Sequence, residues 1–257
     1  VIPPSNGHHV GPHTESERGE TAYELKFLLA SEPAADIETW ARAHLTNDPF
    51  GDPKLEGAYR TSTLYLDTIG LDVYHRSPWY RRRKLRIRRY NADPDVYFEQ
   101  KSRSADRVRK QRSRVPLPEI AMLGEQRALA TWPGAWFHGR VLVKSLLPSA
   151  LVTYRRNAYV GHCAEGPLRL TIDREIVGSL AHAWQWPDVV HNQRLLTAQV
   201  IVELKFLGAL PQPFKDMVRD FRLSPAVVSK YRLSRDAWAD PAFAAGASLT
   251  RRETARA

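Results

Sequence analysis

Cations recur at every second position in one segment after another, and this spacing constrains the chain more than any other feature. Lys84, Arg86 and Arg88 alternate with Leu85 and Ile87; Lys101 and Arg103 follow, then Lys110, Arg112 and Arg114. A period of two places the charges on one face of a β-strand and the apolar residues on the other. Tyr154 with Arg156, Arg169 with Asp173, and Glu203 with Lys205 repeat the arrangement. Tyr23 to Leu29 sets Leu25, Phe27 and Leu29 against Glu24 and Lys26, Thr61 to Asp67 places Leu64 and Leu66 on its apolar side, and Val96 to Lys101 pairs Glu99 with Lys101. Arg109 to Val115, Leu151 to Val160, Leu168 to Ile172 and Gln199 to Phe206 complete the expected strands.

Helical spacing is rarer. It marks Ala34 to Leu45, Glu119 to Trp132 with Gly124 interrupting, and Phe214 to Phe221. Ser224 as an N-cap before Pro225 predicts the start of a short last helix. Strands that follow one another without regular helical crossovers predict an antiparallel α+β fold.

Such strands set like charges opposite each other, which destabilises a sheet unless an anion lies among them. Glu24, Glu99, Asp173 and Glu203 each sit two or four residues from a cation on the same strand face. Isolated carboxylates in a cationic surface suit a divalent metal that bridges protein to phosphate oxygens. Closing the sheet into a barrel turns the charged faces inward. A charged interior cannot pack dry, so the expectation is an antiparallel β-barrel tunnel, hydrated and ligand-filled, with helices packed outside. The tetrapeptide Glu-Leu-Lys-Phe occurs twice, at 24–27 and 203–206, each time presenting a carboxylate and an ammonium together.

Composition narrows the partners. Lys and Arg number 38 against 28 Asp and Glu, a formal charge of +10, which predicts an anionic ligand. An apolar share of 43% over 257 residues supports a sizeable core and excludes disorder throughout. Cys163, the one cysteine, excludes a disulfide scaffold and a thiolate metal cluster and fits a reducing, cytoplasmic setting. Beside His162 it reads as a loop or core thiol rather than a nucleophile, and His182 and His191, near Trp184 and Trp186, read as structural. Val200 to Leu210, the most apolar stretch, is interrupted by Glu203 and Lys205 and is too short to span a membrane. Residues 1–19, with His8, His9 and His13, and residues 240–257 read as disordered tails around one domain at 20–239, and no secretion signal is expected. Neither a P-loop nor a Gly-x-Gly-x-x-Gly is present, so a bound triphosphate must be held by side chains.

Taken in order, Glu24-x-Lys26, Leu64-Tyr65-Leu66-Asp67-Thr68, Lys84-x-Arg86-x-Arg88, Glu99-x-Lys101, Lys110-Gln111-Arg112, Tyr154-x-Arg156, Arg169-x-Thr171-x-Asp173, Glu203-Leu204-Lys205 and Ser229-Lys230-Tyr231 resemble the VTC-domain polyphosphate polymerases, a branch of the triphosphate tunnel metalloenzymes. The resemblance spans about residues 20 to 235. It implies transfer of the ATP γ-phosphate to a growing polyphosphate chain, a polyphosphate kinase activity, with Mn²⁺ or Mg²⁺. Carried over by position, Lys26, Arg86, Arg88, Lys101 and Lys230 are the implied catalytic residues. Lys110, Arg112, Tyr154, Arg156, Lys205 and Ser229 are implied to bind substrate, and Glu203, with Glu24 and Asp173, to hold the metal. Tyr154 is a candidate for stacking on the base.

The implied partners are ATP and polyphosphate; no nucleic acid is required. Where the wider superfamily begins Glu-x-Glu-x-Lys, this chain has Ala22, a thinning that the VTC-type tunnel shares. The SPX sensor domain and membrane spans of the eukaryotic subunits do not fit within this sequence, so inositol-pyrophosphate control and coupled translocation are not implied. Arg155 and Arg89 flank matched arginines, leaving Arg155 or Arg156 as the tunnel residue. Two other readings stand beside the polymerase: an inorganic or nucleoside triphosphatase on the same tunnel, and a non-catalytic binder of polyphosphate or RNA. Carboxylates among the cations argue against the binder.

Overall fold

Every alternating segment forms a strand, and all the long strands pair antiparallel. The computed structural model describes residues 22–104, 107–186 and 192–239, apart from some side chains at strand ends, among them Arg103. The expected tails, with His8, His9 and His13, and also His191, lie outside the described residues. The elements run β1 (Ala22–Ala30), α1 (Ser31–His44), β2 (Thr46–Asn47), β3 (Tyr59–Asp67), α2 (Asp72–His75), β4 (Arg83–Tyr90), β5 (Asp95–Ser104), β6 (Arg107–Pro116), α3 (Ala135–Val143), β7 (Leu147–Cys163), β8 (Gly166–Leu180), β9 (Gln193–Arg194), β10 (Gln199–Leu207), α4 (Gln212–Asp220) and α5 (Lys230–Ala239).

The sheet follows the order β1-β10-β8-β7-β3-β4-β5-β6, with β2 added to β7 and β9 to β8. It is not the closed barrel expected from the sequence: among the described residues, β1 and β6 are two free ends and form no ladder with each other. Yet the sheet is strongly curled. Lys101 on β5 reaches Glu24 on β1 at 3.4 Å, although six inter-strand steps separate these strands, about 29 Å in a flat sheet. Right-handed twist and curl bring the ends into side-chain contact without backbone closure.

The two copies of Glu-Leu-Lys-Phe explain one edge. β1 and β10 are neighbours, and their antiparallel register sets Glu24 opposite Lys205, Leu25 opposite Leu204 and Lys26 opposite Glu203. Read in opposite directions, the motif is complementary to itself: acid meets base on the inner face, and leucine meets leucine on the outer.

Two apolar cores cover the outer face. Under one half, Phe27, Ile172, Val202 and Leu204 pack against Ile37 and Ala41 of α1 and Phe214 and Met217 of α4. Under the other, Leu64, Ile87, Phe98 and Val115 pack against Ile120, Leu123, Phe137 and Val141. The helix expected over Glu119 to Trp132 is instead a 3₁₀ stretch, Leu117–Gly124, followed by α3. Pro116, Pro118 and Pro133 break α-helical pairing there, and Ile120 and Leu123, three apart, share the buried face of a three-residue turn. Ser224-Pro225 opens no helix: residues 223–229 form neither helix nor strand, and Ala226 N–H donates to the Lys26 carbonyl on β1 at 2.7 Å. Ser229 instead precedes α5, its Oγ accepting the Arg232 N–H at 3.4 Å as an N-cap.

Helix α5 seats against β7 and β8 at Gly178. A Cβ there would lie 2.5 Å from Ser234 Oγ and 3.1 Å from Ser234 Cβ. Gly178→Ala is expected to displace α5 and cost about 1–3 kcal/mol, the usual range for overpacking, seen as a lower urea midpoint. An unchanged midpoint would mean α5 is not seated there.

Candidate active site

The inner face of the curled sheet lines a cavity of about 1780 Å³. Alternation decides which side chains reach it. Glu24 and Lys26 come from β1, Glu203 and Lys205 from β10, Tyr154 and Arg156 from β7, Arg86 and Arg88 from β4. Lys101 comes from β5, Lys110 and Arg112 from β6, and Ser229 and Lys230 from the start of α5. These are all the residues singled out from the sequence except Asp173, which lies behind the wall with no exposed surface.

Glu203 is the centre of the floor and only 3% exposed. Four cations surround it: Lys26 Nζ at 3.1 Å, Lys230 Nζ at 3.4 Å, Arg156 Nη2 at 3.6 Å and Lys205 Nζ at 3.9 Å. Behind them Asp173 accepts from Arg156 Nε at 2.6 Å and Nη2 at 2.7 Å, and pairs with Lys230 at 2.6 Å. Both its oxygens are thereby taken up in orienting Arg156 and Lys230, the arrangement of a buried counter-ion. Burial disfavours the charged forms, but Asp173 and then Glu203 hold Lys230 above the ordinary lysine value. Against the same burial, Lys230, Arg156 and Lys26 hold Glu203 well below the carboxylate range.

Lys205 fares differently. Burial pushes its pKa down to about 8, Glu203 compensating only in part while Arg156 repels it.

A second cluster forms on β4, β5 and β6. Glu99 accepts from Arg86 Nε at 2.8 Å and lies 3.3 Å from Arg112 Nε and 3.9 Å from Arg88 Nη1. Burial raises the Glu99 pKa, but the three guanidiniums outweigh it and bring the group down to about 2. Arg88 also donates to Thr63 Oγ1 at 3.2 Å, and Arg112 stacks 3.6 Å above Tyr97.

Arg156, not Arg155, faces the cavity. Alternation runs unbroken through Tyr154 and Arg156, the register of β7 against β3 being continuous there, and Arg155 points outward to the Leu55 carbonyl and Glu56. Arg89 likewise turns out, donating to the Asp93 carbonyl. Tyr154 is 2% exposed, and its ring is covered by Lys230 at 4.7 Å and Arg156 at 5.2 Å. It has no open face for a base; it braces the two cations instead.

Cys163 donates to the Gly166 carbonyl in the β7–β8 turn, and no cavity residue touches it.

Sequence reasoning missed the clasp that holds α5. Tyr231 donates to the buried Asp67 carboxylate and shares a hydrogen bond with Ser149, while Asp67 also accepts from the backbone N–H groups of Thr68, Val73 and Tyr74. The clasp fixes the helix whose first residue is Lys230. Its only sequence signal is a buried acid, Asp67, ending a strand of the matched motif.

Among the described residues five carboxylates line the cavity, Glu24, Asp95, Glu99, Glu203 and Asp236; for a metal, Glu24 and Glu203 are two that lie together. Both lie against the Lys26 ammonium, at 3.5 and 3.1 Å, so their oxygens converge on one place suited to a cation. Among the described residues no group of three or more His, Cys, Asp or Glu gathers for a metal. Two carboxylates nevertheless fit Mg²⁺ or Mn²⁺, which keep waters and share substrate phosphate oxygens. Ala22, opposite Leu207, adds no third ligand.

Because Glu99 and Glu203 have lowered values when folded, the unfolded chain takes up their protons first. Their stabilisation is present above about pH 4.5, the ordinary glutamate value, and is lost as pH falls, for Glu99 towards about 2. Glu99→Gln is expected to lower the urea midpoint at neutral pH, stranding three arginines, and to flatten its fall below pH 4.5. A wild-type pH slope in that variant would contradict the assignment.

Among curated proteins none matches this sequence. Among solved structures, an adenylate cyclase candidate from Bacillus halodurans is 13% identical, covering 82% of this chain and 93% of its own with a TM-score of 0.49. An adenylyl cyclase candidate from Hippeastrum, described by a dominant triphosphatase activity, is 17% identical, covering 83% and 94% with a TM-score of 0.46. The family model described as the VTC domain matches residues 21–239, nearly the whole described chain. The chain belongs to the VTC-domain family.

Proposed function

We infer that this protein is a metal-dependent polyphosphate polymerase. The observation that carries the reading is a cationic cavity in which two carboxylates, Glu203 and Glu24, converge on one ammonium, in a chain of the VTC-domain family. A surface meant only to attract polyanions gains nothing from acids at its centre; a phosphoryl-transfer site does, because it must hold a cation among phosphates.

Phosphoryl transfer depends on charge neutralisation and in-line positioning more than on covalent chemistry. Arg86, Arg88 and Arg156 offer guanidinium forks to the donor triphosphate, and Lys26 and Lys230 offer point charges. Arg86 and Arg88 are pre-aimed by Glu99, and Lys230 and Arg156 by Asp173, so little reorganisation accompanies binding. A terminal oxygen of the acceptor chain attacks the γ-phosphorus. One P–O bond forms to the acceptor, the bond to the β-phosphate oxygen breaks, and ADP leaves. The acceptor is already ionised, so no side-chain base is required. Glu203 and Glu24 would hold Mg²⁺ or Mn²⁺, which supplies further charge neutralisation on the phosphoryl oxygens.

The test is a timed incubation with ATP and Mn²⁺ followed by ³¹P NMR. Internal-chain phosphate resonances growing together with ADP are the expected result. Orthophosphate alone would replace the polymerase with a triphosphatase, and no turnover with chelator-independent polyphosphate binding would leave a binding protein. Glu203→Gln is expected to abolish turnover. It should also destabilise the free protein by about 3–5 kcal/mol, the cost of stranding buried charges, while inorganic triphosphate restores part of that loss. Normal turnover in this variant would remove Glu203 from the reaction.

A further inference from the structure

One corner of the molecule, outside the cavity, presents aliphatic side chains to solvent. Ile69 is 90% exposed and Val143 77%, with Leu142 and Leu147 also exposed. They come from two turns that the β3–β7 ladder brings together: Asp67, two residues before Ile69, stands opposite Leu147. Ile69 and Val143 line one shallow cleft of about 460 Å³. A single exposed aliphatic is ordinary on a protein surface, whereas several on one corner mark a contact surface.

Both tips are held in place. Thr68 Oγ1 donates to Asp72 at 2.7 Å and accepts the Asp72 N–H at 3.1 Å, and the Leu71 N–H closes the turn on the Thr68 carbonyl at 3.0 Å. At the other tip α3 ends in a Schellman reversal: Leu146 N–H reaches the Val141 carbonyl, Ser145 N–H the Leu142 carbonyl, and Ser145 sits at φ 48°. The reversal returns Leu146 to the core with Val141 and leaves Val143 facing out. The last turn of α3, Val141-Leu142-Val143, is therefore apolar on every side although only one side is packed. A helix apolar all round is one that is covered all round.

The rim is cationic. Lys144 lines the cleft, and its ammonium lies 4.4 Å from the centre of the Trp79 ring, which the Arg83 guanidinium approaches at 5.0 Å. Tyr80, also of the cleft, is followed by the exposed Arg81 and Arg82, and its hydroxyl donates to the Lys144 carbonyl at 3.3 Å, tying that turn to the end of α3. Asp72, the carboxylate in the cleft, is occupied by the Thr68 and Ser77 hydroxyls, each at 2.7 Å. A second copy of the chain is a poor cover, because an isologous contact would set these cations against themselves. An anionic lipid surface satisfies both parts: the aliphatic tips enter the headgroup boundary while lysine, arginine and a half-buried tryptophan meet the headgroups.

We propose that this corner, led by Ile69 and Val143 and rimmed by Lys144, Arg82 and Arg83, docks the protein peripherally on anionic membranes. The proposal does not depend on the chemistry of the cavity.

The experiment is co-sedimentation of the whole chain with vesicles of equal parts phosphatidylserine and phosphatidylcholine, and with vesicles of phosphatidylcholine alone. The paired variant Ile69→Ser/Val143→Ser changes no charge, so attraction from the rest of this +10 chain is the same in both proteins. Wild type is expected to sediment with the anionic vesicles, less so as salt rises. The serine pair should weaken that partitioning about tenfold or more, the scale of withdrawing one aliphatic side chain from lipid. Lys144→Gln should weaken it about fivefold on anionic vesicles and leave binding to phosphatidylcholine alone unchanged. Because the tips are exposed, the serine pair should keep the wild-type urea midpoint; a lowered midpoint would mean that they are packed and would overturn the proposal. No sedimentation with anionic vesicles overturns it as well, as does sedimentation that the serine pair leaves unchanged. A dimer in solution that the serine pair converts to monomer would assign the corner to a second copy instead and would likewise overturn it.

Discussion

Glu203 is the anion on which the cavity is assembled. Lys26, Lys230, Arg156 and Lys205 all lie within 4 Å of its carboxylate, and without it these cations would repel one another across β1, β7, β10 and the start of α5. A buried ion cluster of this kind does little for net stability compared with apolar packing. What it provides is position. Asp173 supports it from behind, so the inner face is a lattice of cations spaced by fixed acids rather than a loose positive surface.

The two apolar cores make this possible. Each long strand contributes leucine, isoleucine, valine or phenylalanine to the outer face, where α1 and α4 cover one half and α3 with the 3₁₀ stretch covers the other. A third, smaller apolar cluster, with Val152, Tyr154 and Ile201 beside Leu28 and Tyr65, lies on the inner face, and the charges occupy the rest of it. The curl of the sheet brings Glu24 and Lys101 together without closing the backbone, and α5, held by the Tyr231–Asp67 clasp, delivers Lys230 from outside the sheet.

The strands were legible because their period is two and their two faces differ sharply in chemistry. The same alternation assigned nearly every cavity residue, since it states which side chains share a face. Tyr154 and Arg156 share the inner face by that alternation, which leaves Arg155 to turn out. Asp173 also alternates onto the inner face, but whether a carboxylate meets solvent or two cations depends on strands far away in sequence. Closure of the sheet was inferred from the need to solvate the charges, and curl without closure meets that need equally well. The short last helix begins at Lys230 rather than after Ser224, and Ala226 between them bonds instead to Lys26 of β1, a long-range contact with no local signature.

The claim that the inner face is a preassembled phosphate site, its cations set in place by carboxylates before any metal arrives, is tested most directly by calorimetric titration with inorganic triphosphate in chelator. The account predicts binding without metal, weakened by salt. Absence of binding in chelator would contradict it.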